Sequence, residues 1–118
     1  MNNFDALAEF ENEFKRLLKK YKTLGDDFEK FKEVIFVTPT GIGKNFVIVH
    51  SSSNLKIVKA RMACRSLRDR SLRIVYSYFE QEHKIEFIEI YFKGDKENED
   101  RERIKEYLKN QNPTHYPI

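Results

Sequence analysis

Tryptophan is absent from this chain, and cysteine occurs once, at Cys64. A lone cysteine excludes an internal disulfide and a structural zinc site built on cysteines. The three histidines, His50, His83 and His115, stand far apart, and none has a carboxylate at metal-ligand spacing. No metal and no small-molecule cofactor is therefore expected. No apolar run approaches the ~20 residues of a membrane span, so no membrane association is expected either. The opening Met1-Asn2-Asn3-Phe4-Asp5 lacks a basic stretch followed by an apolar one. With the single thiol, this predicts a reducing, cytoplasmic setting. Glycine and proline are sparse, at four and three residues, and there is no internal repeat or low-complexity segment.

What the 118 residues do contain is ten Phe, six Tyr and 35% charged residues. That suits one globular domain with a wet surface and a core large enough to need no staples. The net charge of +3 conceals an uneven distribution. Residues 1–37 sum to −1 and residues 80–118 to −3, while residues 38–79 carry eight Lys/Arg against Asp69 alone. A cation set this concentrated points to a polyanionic partner. The plainer explanation is a group of solvated strand and turn charges.

The first segment reads as a helix: Phe4, Leu7, Phe10, Phe14, Leu17, Leu18 and Tyr21 recur at three- and four-residue steps. Gly25 predicts a stop, Asp26 or Asp27 a cap, and Phe28, Phe31 and Ile35 the inner face of a second helix reaching about Val37. Thr38-Pro39-Thr40-Gly41-Ile42-Gly43 ends the hairpin. Four β-like runs follow, at Phe46–His50, Leu55–Arg65, Leu72–Phe79 and Ile85–Phe92, joined by short turns that favour antiparallel pairing. In the second run Val58, Ala60, Met62 and Cys64 alternate with Lys59, Arg61, Ala63 and Arg65, so one face is apolar and the other cationic. Leu55 and Ile57 sit on the opposite phase, which predicts a bulge or twist near Ile57-Val58. The fourth run is apolar on both faces, as in a central strand. Asn98 is placed to cap a last helix running to about Lys109, with a narrow stripe of Ile104, Tyr107 and Leu108. The expected fold is α+β: an N-terminal helical hairpin packed on a four-stranded, mainly antiparallel twisted sheet, plus a C-terminal helix. Residues 1–109 form the domain, and residues 110–118 an extended tail.

Gly41-Ile42-Gly43-Lys44 is not a Walker loop, because Thr38 stands where its first glycine belongs and Asn45 where its hydroxyl belongs. Cys64 alternates with the cations and is expected in the core. The sharper set is Lys59, Arg61 and Arg73, with Arg65 and Lys93 nearby. If the second and third strands pair across the turn near Arg68–Ser71, the first three converge on one sheet face. Cations aimed at one point suit a phosphate, and they stabilise the extra charge of a phosphoryl-transfer transition state. Such a site permits RNA cleavage through the ribose 2′-hydroxyl, which DNA lacks.

Several strings in this order resemble the RelE/ParE superfamily of toxins from type II toxin–antitoxin systems, and the RelE-like branch in particular. Leu72-Arg73-Ile74-Val75-Tyr76 is similar to the family's Arg-aliphatic-aliphatic-Tyr strand. Phe87-Ile88-Glu89-Ile90-Tyr91-Phe92-Lys93 is similar to its apolar strand ending in Tyr-x-Lys, and Ile42-Gly43-Lys44-Asn45 and Lys59-Ala60-Arg61 also fit. The resemblance covers about residues 10–108. It implies a toxin restrained by a cognate antitoxin, and for RelE-like members a metal-independent endoribonuclease that cuts mRNA on the ribosome and inhibits translation. It implies that Arg73 acts on the scissile phosphate, that Lys59 and Arg61 match a strand lysine pair, and that Lys93 or Lys96 stands near a further basic position. Lys59, Arg61, Arg73 and Lys93 are thus the candidate catalytic residues, and Lys56, Arg65, Tyr91 and Lys96 the candidate RNA-binding ones. The family's base-stacking Tyr at the start of the last helix is replaced by Glu99-Asp100-Arg101. The alternatives are a ParE-like toxin that inhibits DNA gyrase without nuclease activity, and a non-toxic RNA-binding or interaction module of the same fold.

Overall fold

The amphipathic stripe of the N-terminal segment forms a helix, α1 (Ala8–Lys20), with Phe10 and Leu17 buried. Glu9 and Glu11 lie in its first turn and Lys19 and Lys20 in its last, each sign complementing the helix dipole. The structure, a computed structural model, describes residues 3–68 and 70–111. α1 ends at Tyr21, whose N–H donates to the Leu17 carbonyl at 2.9 Å. A second helix, α2 (Leu24–Val37), then buries Leu24, Phe28, Phe31 and Ile35. Gly25 thus lies inside α2 and is not a stop. Asp27 is no cap either. Its carboxylate accepts from Thr23 Oγ1 at 2.8 Å and from the backbone N–H and Nε of Arg65, both at 2.9 Å. It ties α2 to the 3-10 turn at Arg65–Leu67.

The sheet has five strands, one more than expected, and is mixed. Residues Asn3–Ala6 form a strand, β1, and not the start of a helix. The others are β2 (Phe46–Ser51), β3 (Leu55–Ala63), β4 (Ser71–Phe79) and β5 (Lys84–Phe92), in the spatial order β1-β5-β4-β3-β2. β1 runs parallel to β5, and every other pairing is antiparallel. A three-residue apolar spacing in Phe4, Leu7 and Phe10 does not distinguish a helix from a short strand turning into one. The free edge of β5, eighty residues away, decides it. Phe4 stacks on Phe87 with ring centroids 5.9 Å apart.

The irregularity expected near Ile57-Val58 lies in the facing strand: the β2 register shifts between Ile48 and His50, opposite Val58 and Ile57, while Leu55 through Ala63 pair in unbroken register with Phe79 through Ser71. Leu55 and Ile57 simply share a face with Lys59 and Arg61. The irregularities fall between Ile48 and His50 in β2, and opposite Val75/Tyr76, where β5 carries an extra residue. The latter places Ile88 and Glu89 together on one face. The strand is also shorter than its apolar run, because Arg65–Leu67 turn into the 3-10 segment.

α1 and α2 cover one side of the sheet over Val58, Ala60, Met62, Leu72, Ile74, Tyr76, Phe87 and Ile90. The last helix, α3 (Arg101–Asn110), is capped by Asp100 and not by Asn98: the Asp100 side chain accepts from the Arg103 N–H at 3.0 Å. It covers part of the other side, where Tyr107 joins Leu55, Ile57, Val75 and Ile88. Asn110 belongs to α3, and the expected tail lies, from residue 112 on, outside the described residues. β1 shields only part of β5, so the remaining edge is sealed by side chains. Glu13 accepts from the Ile90 N–H, and Arg103 donates to the Ile88 carbonyl while pairing with Glu13 at 2.7 Å. This clamp joins α1 to α3 around the sheet edge and satisfies backbone groups that burial would otherwise leave costly.

Phe87 sits among Phe10, Phe28 and Tyr76 at centroid distances of 5.2, 5.0 and 6.1 Å. Phe87→Ala is expected to cost about 3–5 kcal/mol in urea-induced unfolding. A loss under ~1 kcal/mol would deny this ring its central place. Burial pushes the Asp27 carboxyl up, but the donors from Arg65 and Thr23 outweigh it and hold it below the usual carboxylate range. Its stabilising effect is therefore present at neutral pH and lost as pH falls through that depressed value. Asp27→Asn should cost about 1–3 kcal/mol at pH 7, and the gap to the parent should close on acidification.

Candidate phosphate-binding cleft

The face of the sheet under α3 is divided. Toward one end Leu55, Ile57, Val75 and Ile88 pack beneath Tyr107. Toward the other end the same strands present charge, because strict alternation along β3 carries the phase of Leu55 and Ile57 on to Lys59 and Arg61. Arg61 stands directly opposite Arg73, and Arg73 directly opposite Tyr91. In the next row Val75 lies between Lys59 and Glu89.

Arg61, Arg73, Arg70 and Lys93 line an open cleft of about 470 Å³ with Ser71, Phe92 and Gly94. Among the described residues no carboxylate lines it. Among the described residues, none of the four cations forms an ion pair. Arg73 Nη1 donates to Ser71 Oγ at 2.8 Å, which fixes the guanidinium across the floor. Burial and the neighbouring Arg61 charge lower the Arg73 pKa, against the influence of Tyr91. The lack of a Cβ at Gly94 keeps the wall close, since one there would meet the Phe92 ring at 2.3 Å. Like charges directly opposed across a strand pair cost stability. A sheet that keeps two arginines so placed, with no acid between them, is arranged for an anion from outside.

The other expected residues are placed differently. Lys59 Nζ donates to Glu99 Oε1 at 3.0 Å, and the Glu99 side chain is only 9% exposed. Burial raises the Glu99 carboxyl, but the Lys59 hydrogen bond and charge hold it below the usual range. Lys96 pairs with the buried Glu89 and lies 5.1 Å above the Tyr91 ring. Tyr91 is buried, and burial with the Glu99 and Glu89 charges pushes its phenol up to about 12 against the pull of Arg73. Its phenol is neutral at physiological pH. Lys56 occupies the opposite face of β3 near Glu80, at 3.6 Å, and Arg65 is bound to Asp27. The structure therefore gathers Arg61, Arg73 and Lys93, keeps Lys59, Tyr91 and Lys96 alongside, and sends Lys56 and Arg65 elsewhere. Arg70 and Ser71 were legible only as part of a charged turn, because their facing depends on how that turn folds. Glu99 gave no signal beyond the missing tyrosine.

Among the described residues no cluster of His, Cys, Asp and Glu could hold a metal ion, and no helix is long and apolar enough to cross a membrane. Gly41 and Gly43 both adopt positive φ in a plain loop, consistent with the exclusion of a Walker site.

These features define a small α+β protein with a mixed five-stranded sheet and an open cation cleft at one end of one sheet face. The fold is RelE-like. It superposes on a chain of the archaeal RelE–RelB complex from Pyrococcus horikoshii OT3 with a TM-score of 0.60 and 17% sequence identity, over 79% of this chain and 96% of that one. No protein-family model matches the sequence, and no curated protein does.

Because Arg61 and Arg73 repel, Arg61→Thr is expected to leave stability unchanged or raise it by up to about 1 kcal/mol. The same change should weaken binding of a single-stranded oligonucleotide. A clear loss of stability by thermal melting would make Arg61 a structural residue.

Proposed function

We propose that this protein is the toxin of a toxin–antitoxin module and cleaves mRNA on the ribosome. The observation that carries the proposal is the directly opposed, unneutralised Arg61–Arg73 pair on the floor of an open cleft. Fixed cations there hold the scissile phosphate and stabilise the charge that builds when the adjacent 2′-hydroxyl attacks phosphorus. The bond to the 5′-oxygen breaks, the 2′ proton passes to solvent, and the Lys93 ammonium at the rim protonates the departing oxygen. Arg70 extends the contact to the flanking backbone, and Lys59 and Lys96 border it. No metal enters this scheme. The RelE-like fold supports the assignment, and the neighbour's RelE–RelB complex supports a cognate antitoxin as partner. That antitoxin would neutralise the basic cleft.

Two observations favour a second reading. Lys59 is held by Glu99, and no aromatic ring stands at Glu99-Asp100-Arg101 to stack on a base. In that reading the cleft binds anionic backbone without cutting it, as in a gyrase-directed toxin or an RNA-binding module.

Primer extension on a reporter mRNA with purified ribosomes separates the two. Cleavage predicts ribosome-dependent cuts that fall at least 100-fold in Arg73→Ala. Intact mRNA in the presence of folded parent protein would overturn the nuclease assignment and leave the binding one.

A further inference from the structure

Glu99 is delivered to Lys59 by a segment that is itself pinned. Glu89 is fully buried, holds the Lys96 ammonium and accepts from the Asp100 N–H at 2.8 Å. Asp100 in turn caps α3. Between these two anchored positions Glu99 reaches down to the sheet, with Arg101 Nε 3.8 Å from its outer oxygen. Its inner oxygen takes Lys59, which shares a sheet face with Arg61 and Arg73.

Lys59 and Arg61 are two residues apart on one strand, a spacing of about 7 Å. That is comparable to the distance between successive phosphates of a single strand. The Arg61–Arg73 cleft is open, while the adjoining cation is already matched by a carboxylate. The acid in this row is an internal one.

We propose that Glu99 is a built-in stand-in for a backbone phosphate: it fills a second phosphate subsite at Lys59, and a single-stranded polynucleotide seated in the Arg61–Arg73 cleft displaces it. The inference rests on the phosphate-binding reading of that cleft. Glu99 acts through Lys59 and is a positioning residue. It makes the second phosphate contact conditional on swinging the Glu99 side chain off Lys59, while Lys96 and Asp100 stay on Glu89. A short anion therefore engages the cleft alone, and only a strand long enough to offer a second phosphate gains from Lys59. While the pair persists, Lys59 contributes little to binding.

The test uses a fluorescent single-stranded RNA with 2′-O-methyl riboses, which cannot be cut. Its affinity is measured by anisotropy across a salt series for the full chain and for Glu99→Gln, Glu99→Ala, Lys59→Ala, Arg73→Ala and Glu99→Gln with Lys59→Ala. Glu99→Gln and Glu99→Ala are expected to bind about three- to tenfold more tightly. The slope of log affinity against log salt should steepen by about 0.7, one added phosphate contact. Lys59→Ala in the Glu99→Gln background should cancel the gain. A merely structural Glu99 would move none of these slopes. If neither Glu99 variant gains affinity or slope while Arg73→Ala loses both, the cleft stands and the role of Glu99 falls. If Arg73→Ala leaves the slope unchanged, the cleft reading itself falls.

Discussion

The carboxylate of Glu89 is the constraint on which this molecule's functional face depends. It is fully buried in β5, where burial is tolerable only with donors supplied from the chain itself. The donors are Lys96 and the Asp100 N–H, so the loop after β5 cannot swing away without stranding a charge. Fixing that loop fixes the start of α3, and α3 determines how much of the sheet is roofed. Glu89 points to this side because β5 carries an extra residue opposite Val75/Tyr76. One local irregularity thus turns an acid inward and organises the segment that frames the cation cleft.

The consequence is a sheet face of two characters. Under α3 it is a second, smaller core, with Tyr107 donating to Glu86 at 2.6 Å and hydrogen-bonded to Ser77. Beyond the helix start the same strands present Lys59, Arg61, Arg73 and Lys93 to solvent or to acids from the loop. The opposite face pays no such penalty in repulsion, because α1 and α2 cover it with aromatic and aliphatic side chains. Stability is concentrated on one side and in one corner of the other. That leaves the remaining corner free to hold like charges in proximity, an arrangement whose use is an incoming anion.

Much of this was readable from residues alone. The alternation in β3 and β4 separates the core residues from the cations, and it places Arg61 and Arg73 on one face once the strands pair as neighbours. Cys64, Phe28, Phe31 and Ile35 lie inward, as periodicity indicated. The resemblance to RelE-like proteins agrees with the fold found. The failures share one cause. β1, the phase of Leu55 and Ile57, and the cap of α3 each depend on a partner distant in sequence. For β1 it is the edge of β5, for Leu55 and Ile57 it is Tyr107, and for the segment before α3 it is Glu89. A local pattern carries no term for such partners.

The sequence by itself determined which side chains are apolar, which are charged and in what alternation, because a strand's two-residue period converts order directly into facing. It also determined that the middle of the chain is a cation reservoir. Only the tertiary structure decided which cations are free and which are answered. Arg65 is answered by Asp27, Lys96 by Glu89 and Lys59 by Glu99 across sequence separations of 38, 7 and 40 residues. Among the described residues no acid pairs with Arg61 or Arg73, which face each other across β3 and β4. Charge is a property of the residue, but neutralisation is a property of the distance between residues, and only the folded chain sets that distance.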